Sequence, residues 1–288
     1  MELLIISRIK ARIVYLTLEP TQLTSGGIMK RTFIIIIAVC GLLATAWATE
    51  NIYMVDGKIA VMNGRVQFSR WLLNFDGTTT DYVDLNDSIQ LTASSNFSVC
   101  AWVKRVATGT RDIIIGNYTG TTNQMLLSSA ADGKLRFNIT AGGDKDYRTT
   151  SIISTNVWYF LATTYAGSGQ NLQLYIDGTT QAVTKVTDEL LAGNIHSGTP
   201  FKIGKDNRAD PTSVMFGGNI AEVSFWNKTL SLADIQSCMY NSLSGSESGL
   251  IGYWRMNEGT GTNANDSSAS DYDGNIYGTT WTRGGILK

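Results

Sequence analysis

An all-β fold of two antiparallel sheets packed face to face, with one short helix near the C-terminal end, is what this sequence predicts. Three observations carry it. WYFLATTY (158–165), LQLYIDG (172–178), KLRFNIT (134–140) and FKIGKDN (201–207) are β-branched and aromatic runs of strand length. Clusters of Gly, Asn, Asp, Ser and Thr separate them, and Asp132-Gly133 and Asp177-Gly178 are hairpin-turn dipeptides. Proline, which cannot donate to a strand ladder, occurs after residue 48 only as Pro200 and Pro211. Runs of this kind recurring roughly every 8–12 residues, about a dozen in all, are the pattern of a two-sheet sandwich.

The chain opens differently. Met29-Lys30-Arg31 precedes FIIIIAVCGLLATAWA (33–48), a basic start, a short apolar core and a small-residue end. That order is a secretory signal peptide over 29–48, with Ala46-Trp47-Ala48 as the cleavage site and Thr49 as the expected mature start. A retained membrane anchor is the rival, but the uncharged run is short against the roughly 20 residues a spanning helix needs. No membrane span is therefore expected after cleavage, and the expected location is secreted or cell-surface. Residues 1–28 lie upstream of a complete signal and are expected to be a mis-assigned upstream extension. Residues 49–71, punctuated by Gly57 and Gly64, read as a strand or hairpin lead-in.

The remaining elements follow in order. LNFDGTTTDYVDL (73–85) is an opening strand and loop, FSVCAWVKR (97–105) a long strand, and IAEVSFWNKTLSLADI (220–235) a strand running into the helix. Ser231 can cap that helix, and Ile235, Met239 and Leu243 follow at four-residue spacing. GLIGYWRMNEGTGTNANDSSASDYDGNIYGTTW (249–281) gives an aromatic strand, a Glu-Gly turn, a polar loop and a Gly-aromatic strand. These four segments, in this order, resemble LamG-like jelly-roll domains of the concanavalin A-like lectin and glucanase superfamily. The resemblance spans residues 72–281 and leaves 282–288 as a tail. It implies a jelly-roll sandwich, a helix covering one end, and a binding or adhesion class of function.

Charge and cysteine content narrow the class. Removing the leader with Arg8, Lys10, Arg12, Lys30, Arg31, Glu2 and Glu19 takes Lys+Arg from 23 to 18 and Asp+Glu from 24 to 22, so the formal charge moves from −1 to −4. That is no footprint for nucleic acid. Cys100 and Cys238 remain, enough for one bridge in an exported protein, and spacing leaves open whether they meet.

Catalytic patterns are missing. Glycosidases of this superfamily carry E-x-D-x-x-E on one strand, where alternation sets carboxylates on one face. Glu222 lies in NIAEVSFW, but Ser224 stands where the Asp would be. The single histidine, His196, sits in a Gly-bounded loop with no local partner for a nucleophilic triad. The expectation is a non-enzyme.

Asp in polar loops either caps turns or binds calcium, a hard cation wanting six to eight oxygens. Two calcium sites are expected on the resemblance. One is structural: Asp76, after the opening strand, and Asp266, in the closing segment that the family lays beside it. The other is a rim site of Asn123, Asp206 and Asn207, which Lys205 and Arg208 oppose electrostatically. Sugar rings stack on aromatic faces, so Trp102, Tyr118 and Tyr147, with Arg148 and Arg208, are the candidate ligand contacts. Trp158, Trp226 and Trp254 read as core anchors. The stretch Asp144–Arg148 reads as a charged, solvated hairpin turn. The resulting expectation is an exported, non-catalytic LamG-like domain binding an extracellular glycan, with structural Ca2+. The alternatives are a surface or matrix module that binds a protein and no sugar, and an atypical polysaccharide hydrolase.

Overall fold

The computed structural model has two units, Met1–Asn63 and Gly64–Lys288. It describes residues 71–286, apart from 87–88, 107–110, 121–123, 196–197, 209–214 and 285, together with short strands nearer the N-terminus. Those strands form three antiparallel hairpins: β1 (Leu3–Ile5) with β2 (Val14–Leu16), β3 (Phe33–Val39) with β4 (Leu42–Ala48), and β5 (Tyr53–Val55) with β6 (Lys58–Ala60).

In the second unit β7 (Trp71–Asp76), β8 (Tyr82–Asp84), β9 (Phe97–Arg105), β10 (Asp112–Gly116), β11 (Gln124–Ser129), β12 (Lys134–Thr140) and β13 (Asp144–Ile152) come first. Next are β14 (Trp158–Ala166), β15 (Asn171–Ile176), β16 (Thr179–Thr180), β17 (Val183–Asp188), β18 (Lys202–Ile203) and β19 (Gly217–Trp226). After α1 (Leu232–Tyr240) the chain ends with β20 (Leu250–Trp254), β21 (Asn263–Ala264), β22 (Gly274–Tyr277) and β23 (Thr280–Arg283). Two antiparallel sheets result. One has nine strands in the order β17-β13-β12-β11-β10-β18-β8-β22-β21; the other runs β16-β15-β14-β9-β19-β7-β23, with β20 also paired to β19. This is the expected jelly-roll sandwich. The closing segment does lie beside the opening one, with Trp281 opposite Leu73 and Tyr277 opposite Tyr82.

Alternation decides what each strand buries. On β12, Leu135, Phe137 and Ile139 enter the core between the sheets, where they join Phe97, Tyr165, Phe201, Phe225 and Trp254. Arg136, Asn138 and Thr140 therefore face outward. Strands β9 and β19 are instead buried along almost their whole length. Their outer faces contribute Cys100, Trp102, Ala221 and Trp226 to a second apolar cluster, which Ile235, Cys238 and Met239 of α1 close. A strand covered on both faces favours apolar residues at consecutive positions, as at 99–103 of β9, while β19 also buries Glu222 and Ser224. Ser231 caps α1, and Asp234 completes a reciprocal capping box.

Turn chemistry matches at Asp177-Gly178, where φ is +53° and +66°, the pair of positive values a type I′ hairpin requires. Two expectations change. FKIGKDN is strand only at Lys202–Ile203, because Gly204 turns to φ +85° and packs so closely on the Phe75 ring that a Cβ would lie 2.4 Å from it. Asp144–Arg148 is no turn: it begins β13, and its charges are paired rather than solvated, as described next.

Candidate functional site

The nine-stranded sheet turns one face to the core and one outward. Its register aligns an outward row: Asn275, Asp84, Lys202, Gly116, Leu126, Asn138, Asp146 and Thr187, on successive strands from β22 to β17. Beside it, Ser128, Arg136, Arg148 and Thr184 form a second row.

One end of this face is aromatic. The rings of Tyr82 and Tyr277 stack with centroids 4.7 Å apart at 20°, and Tyr277 is 45% exposed. The ammonium groups of Lys202 and Lys205 lie 4.7 and 5.1 Å from the Tyr82 ring centre, a cation–π arrangement. Lys202 also pairs with Asp84 at 3.8 Å, and Lys205 donates to the carbonyl of Thr79 at 2.7 Å. Burial, then the neighbouring Tyr277 and Asp84, pushes the Tyr82 hydroxyl up; burial pushes the Lys202 ammonium down.

The other end is rich in arginine. Asp146 accepts Nε and Nη2 of Arg136 at 2.7 and 3.0 Å, and Nη2 of Arg148 at 3.0 Å. Burial alone would raise the Asp146 carboxyl, but the two guanidiniums hold it below its usual range. Between the two ends, beside β10, buried Asp206 accepts Nε of Arg208 at 2.7 Å, and Arg208 lies 5.1 Å over the Tyr118 ring. Here burial wins, and the Asp206 carboxyl is raised despite Arg208. Of the five residues expected as ligand contacts, Tyr118, Arg148 and Arg208 are thus on or beside this face.

Trp102 and Tyr147 are not. Trp102 is 4% exposed, edge-on to Phe160 in the cluster beneath α1. Tyr147 is 3% exposed in the main core, with its hydroxyl donating to Asp188 at 2.6 Å. Both belong to packing, because their strands place those positions on covered faces.

The expected calcium donors are also spread apart or engaged. On β19, Asp76 pairs with Gly217, whereas Trp254, which bridges to Asp266, pairs with Val223. The stretch between is roughly 20 Å of extended chain. Asp266 is buried and already accepts four donors: the backbone N–H groups of Tyr253, Ser268 and Tyr272 at 2.8, 2.8 and 3.0 Å, and the Ser268 hydroxyl at 2.8 Å. Asp76 caps its own turn, accepting the N–H of Thr78 at 2.8 Å. Asn207 donates its side-chain amide to the carbonyl of Pro200 at 2.9 Å. Asn123 and His196 lie outside the described residues. Among the described residues no group of three or more His, Cys, Asp or Glu is placed to hold a metal ion. Asp206 is already paired with the guanidinium of Arg208 at 2.7 Å, so the described donors of both expected sites are engaged by protein groups.

Two shallow clefts flank the 89–96 segment, one around Thr92, Gln170 and Asn194, the other around Gln90, Asn96, Asn227 and Tyr272. Among the described residues, their linings are uncharged.

The family described as the concanavalin A-like lectin/glucanases superfamily, laminin G type 3, matches residues 76–236. The chain belongs to this family. No curated protein matches it by sequence. Its fold is similar to that of a candidate carbohydrate-binding protein from Bacteroides ovatus, at 20% identity and a TM-score of 0.59, covering 85% of this chain and 70% of that one. It is also similar to a heptameric SAP-like pentraxin from Limulus polyphemus, at 14% identity and a TM-score of 0.51, covering 76% and 97%.

Sequence reasoning missed Tyr82, Tyr277, Lys202 and Arg136 as surface groups. Tyr82 and Tyr277 do alternate with the core residues Val83 and Ile276, a signal that pointed outward. Their stacking depends on β22 pairing with β8 across most of the chain, which no local pattern encodes.

Proposed function

We propose that this laminin G-type domain is an exported, non-catalytic module that binds an extracellular glycan along the outward face of its nine-stranded sheet. The observation that carries the reading is the stacked Tyr82–Tyr277 pair, exposed at Tyr277 and flanked by Asp84, Lys202 and Asn275. A sugar ring needs an apolar plane with donors and acceptors at its rim, and this set supplies both. The superfamily is one of lectins and glucanases, and the description of the Bacteroides ovatus protein as a carbohydrate-binding candidate agrees with the reading. Export follows from the signal pattern at 29–48.

A panel of immobilised oligosaccharides tests the binding. Tyr277→Ala should weaken retention about tenfold, ~1.4 kcal/mol, with the domain still folded and its melting temperature only slightly lowered by loss of the stacked pair. If no sugar is bound, the domain is a protein-interaction module instead. N-terminal sequencing of the secreted product should begin at Thr49; a membrane-bound product retaining 33–48 overturns export.

A further inference from the structure

The arginine-rich end of the outward face carries more guanidinium than its carboxylates can use. Arg136 and Arg148 share the single carboxylate of Asp146, and Arg208, between the two ends, takes that of Asp206. Among the described residues Arg111, half-buried beside them, makes no ion pair. It directly precedes β10, whose Asp112 and Ile113 pair with Ser129 and Ser128, and Ser128 pairs with Arg136; burial, then the nearby guanidiniums, pushes its pKa down, and Asp146 opposes them. Three further N–H groups have no acceptor: Nη1 of Arg136, Nε of Arg148 and Nη2 of Arg208. Unpaired guanidinium nitrogens at a half-buried site are costly, and an oxyanion satisfies them best, because the planar fork matches carboxylate and sulfate oxygens. The protein as a whole has a formal charge of −1, so this excess of positive charge is local and not a general basicity.

We propose that Arg136 and Arg148, with Arg111 at the start of β10, form an anion subsite, and that the glycan bound by this face is acidic, bearing a carboxylate or a sulfate ester. The inference rests on the glycan reading above and specifies its ligand class. Geometry sets the ligand's length. Asp84 and Asp146 stand at the two ends of five successive strand pairings, from β8 through β18, β10, β11 and β12 to β13. At about 4.8 Å per pairing, the distance from the Tyr82–Tyr277 platform to Asp146 and its two arginines is roughly 24 Å. The ligand is therefore an oligosaccharide lying across the strands, one ring on the tyrosines and its acidic group among the arginines. The cationic side chains of Lys202 and Lys205 at the platform favour further acidic groups along its length.

The test is a panel of neutral, uronic-acid and sulfated oligosaccharides, together with the methyl-esterified and desulfated forms of the acidic members, read by titration calorimetry. Acidic members should bind at least tenfold tighter than their neutralised forms, and the advantage should shrink as salt rises. Which acidic class binds separates carboxylate from sulfate. Arg148→Gln should abolish the advantage. Asp146 keeps both bonds from Arg136 in that variant, so the fold is retained, and a thermal melt checks this. Lys228→Gln, near Trp226 at the second apolar cluster, removes the same charge and should change nothing. Equal binding of acidic and neutralised sugars overturns the inference and leaves glycan binding standing. An acid preference that survives Arg148→Gln also overturns it. Binding of no sugar at all removes both readings.

Discussion

The hydroxyl of Tyr253 donates a hydrogen bond to the carboxylate of Glu222 on the outer side of the eight-stranded sheet. Glu222 sits at an irregularity in β19, at φ +52°, where the pairing register with β9 jumps between Ala221 and Ser224. Burial pushes its carboxyl up to about 7, with Tyr253 and Arg255 opposing and Glu258 adding to the rise. An acid whose folded-state pKa is raised binds its proton in the native state while the unfolded chain has released it. Stability from this group is therefore full below the ordinary value of 4.5 and falls as pH rises towards 7.

Glu222→Gln keeps an oxygen for Tyr253 and removes the charge. At pH 8 it should melt higher than wild type, with a gain of up to about 3 kcal/mol from the size of the shift. At pH 4 the two proteins should melt together. An equal difference at both pH values would show that Glu222 does not titrate between them.

Trp254 is fully buried in the main core, and its indole N–H donates to the carbonyl of Tyr272 at 2.8 Å. Trp254→Ala leaves a large cavity and should cost about 3–5 kcal/mol in chemical denaturation. An unchanged denaturation midpoint would contradict its place in the core.

The contrast between Trp254 and Tyr147 marks how far the sequence could be read. Both are aromatics within strand-like runs. Trp254 follows a Gly-Tyr pair in a segment with obvious strand character, and its core assignment holds. Tyr147 stands among Asp144, Lys145, Asp146 and Arg148, and so much charge suggested a solvated turn. Those charges are consumed in pairs: Lys145 and Lys185 with Asp188, Arg136 and Arg148 with Asp146. Partners on other strands, some forty residues away in the case of Asp188, are invisible to local pattern. The same reason hid the Tyr82–Tyr277 platform. Fold class, the α1 cap and the order of the segments depend on local residues and were legible. The site depends on long-range register, so only Tyr118, Arg148 and Arg208 of its residues were legible.

Asp266 shows what a loop carboxylate does here. Its four accepted hydrogen bonds tie the closing loop to β20 through Tyr253. Asp266→Ala would strand buried backbone donors and should cost about 3 kcal/mol. The loss should be the same in calcium and in chelator, as should the wild-type melting temperature. A melting temperature that falls on chelation, and an Asp266→Ala variant that no longer responds, would restore a calcium role at this loop.

The last expectation joins export to the second apolar cluster. Cys100 on β9 and Cys238 on α1 are both buried free thiols in the same apolar cluster. The neighbouring Cys238 and complete burial raise the Cys100 thiol well above its ordinary value, so it is inert to large reagents in the folded state. An oxidising compartment changes this, since two neighbouring thiols can lose two protons and two electrons to its oxidant and close one bridge. Protein recovered from secretion and denatured without reductant should show no titratable thiol at these positions; after reduction it should show both. A bridge closing so long a loop should add about 3–5 kcal/mol, so reduction should lower the melting temperature, and Cys238→Ala should remove that response. Two free thiols in the unreduced secreted protein would mean that the pair is packing alone, held apart by the geometry of β9 and α1.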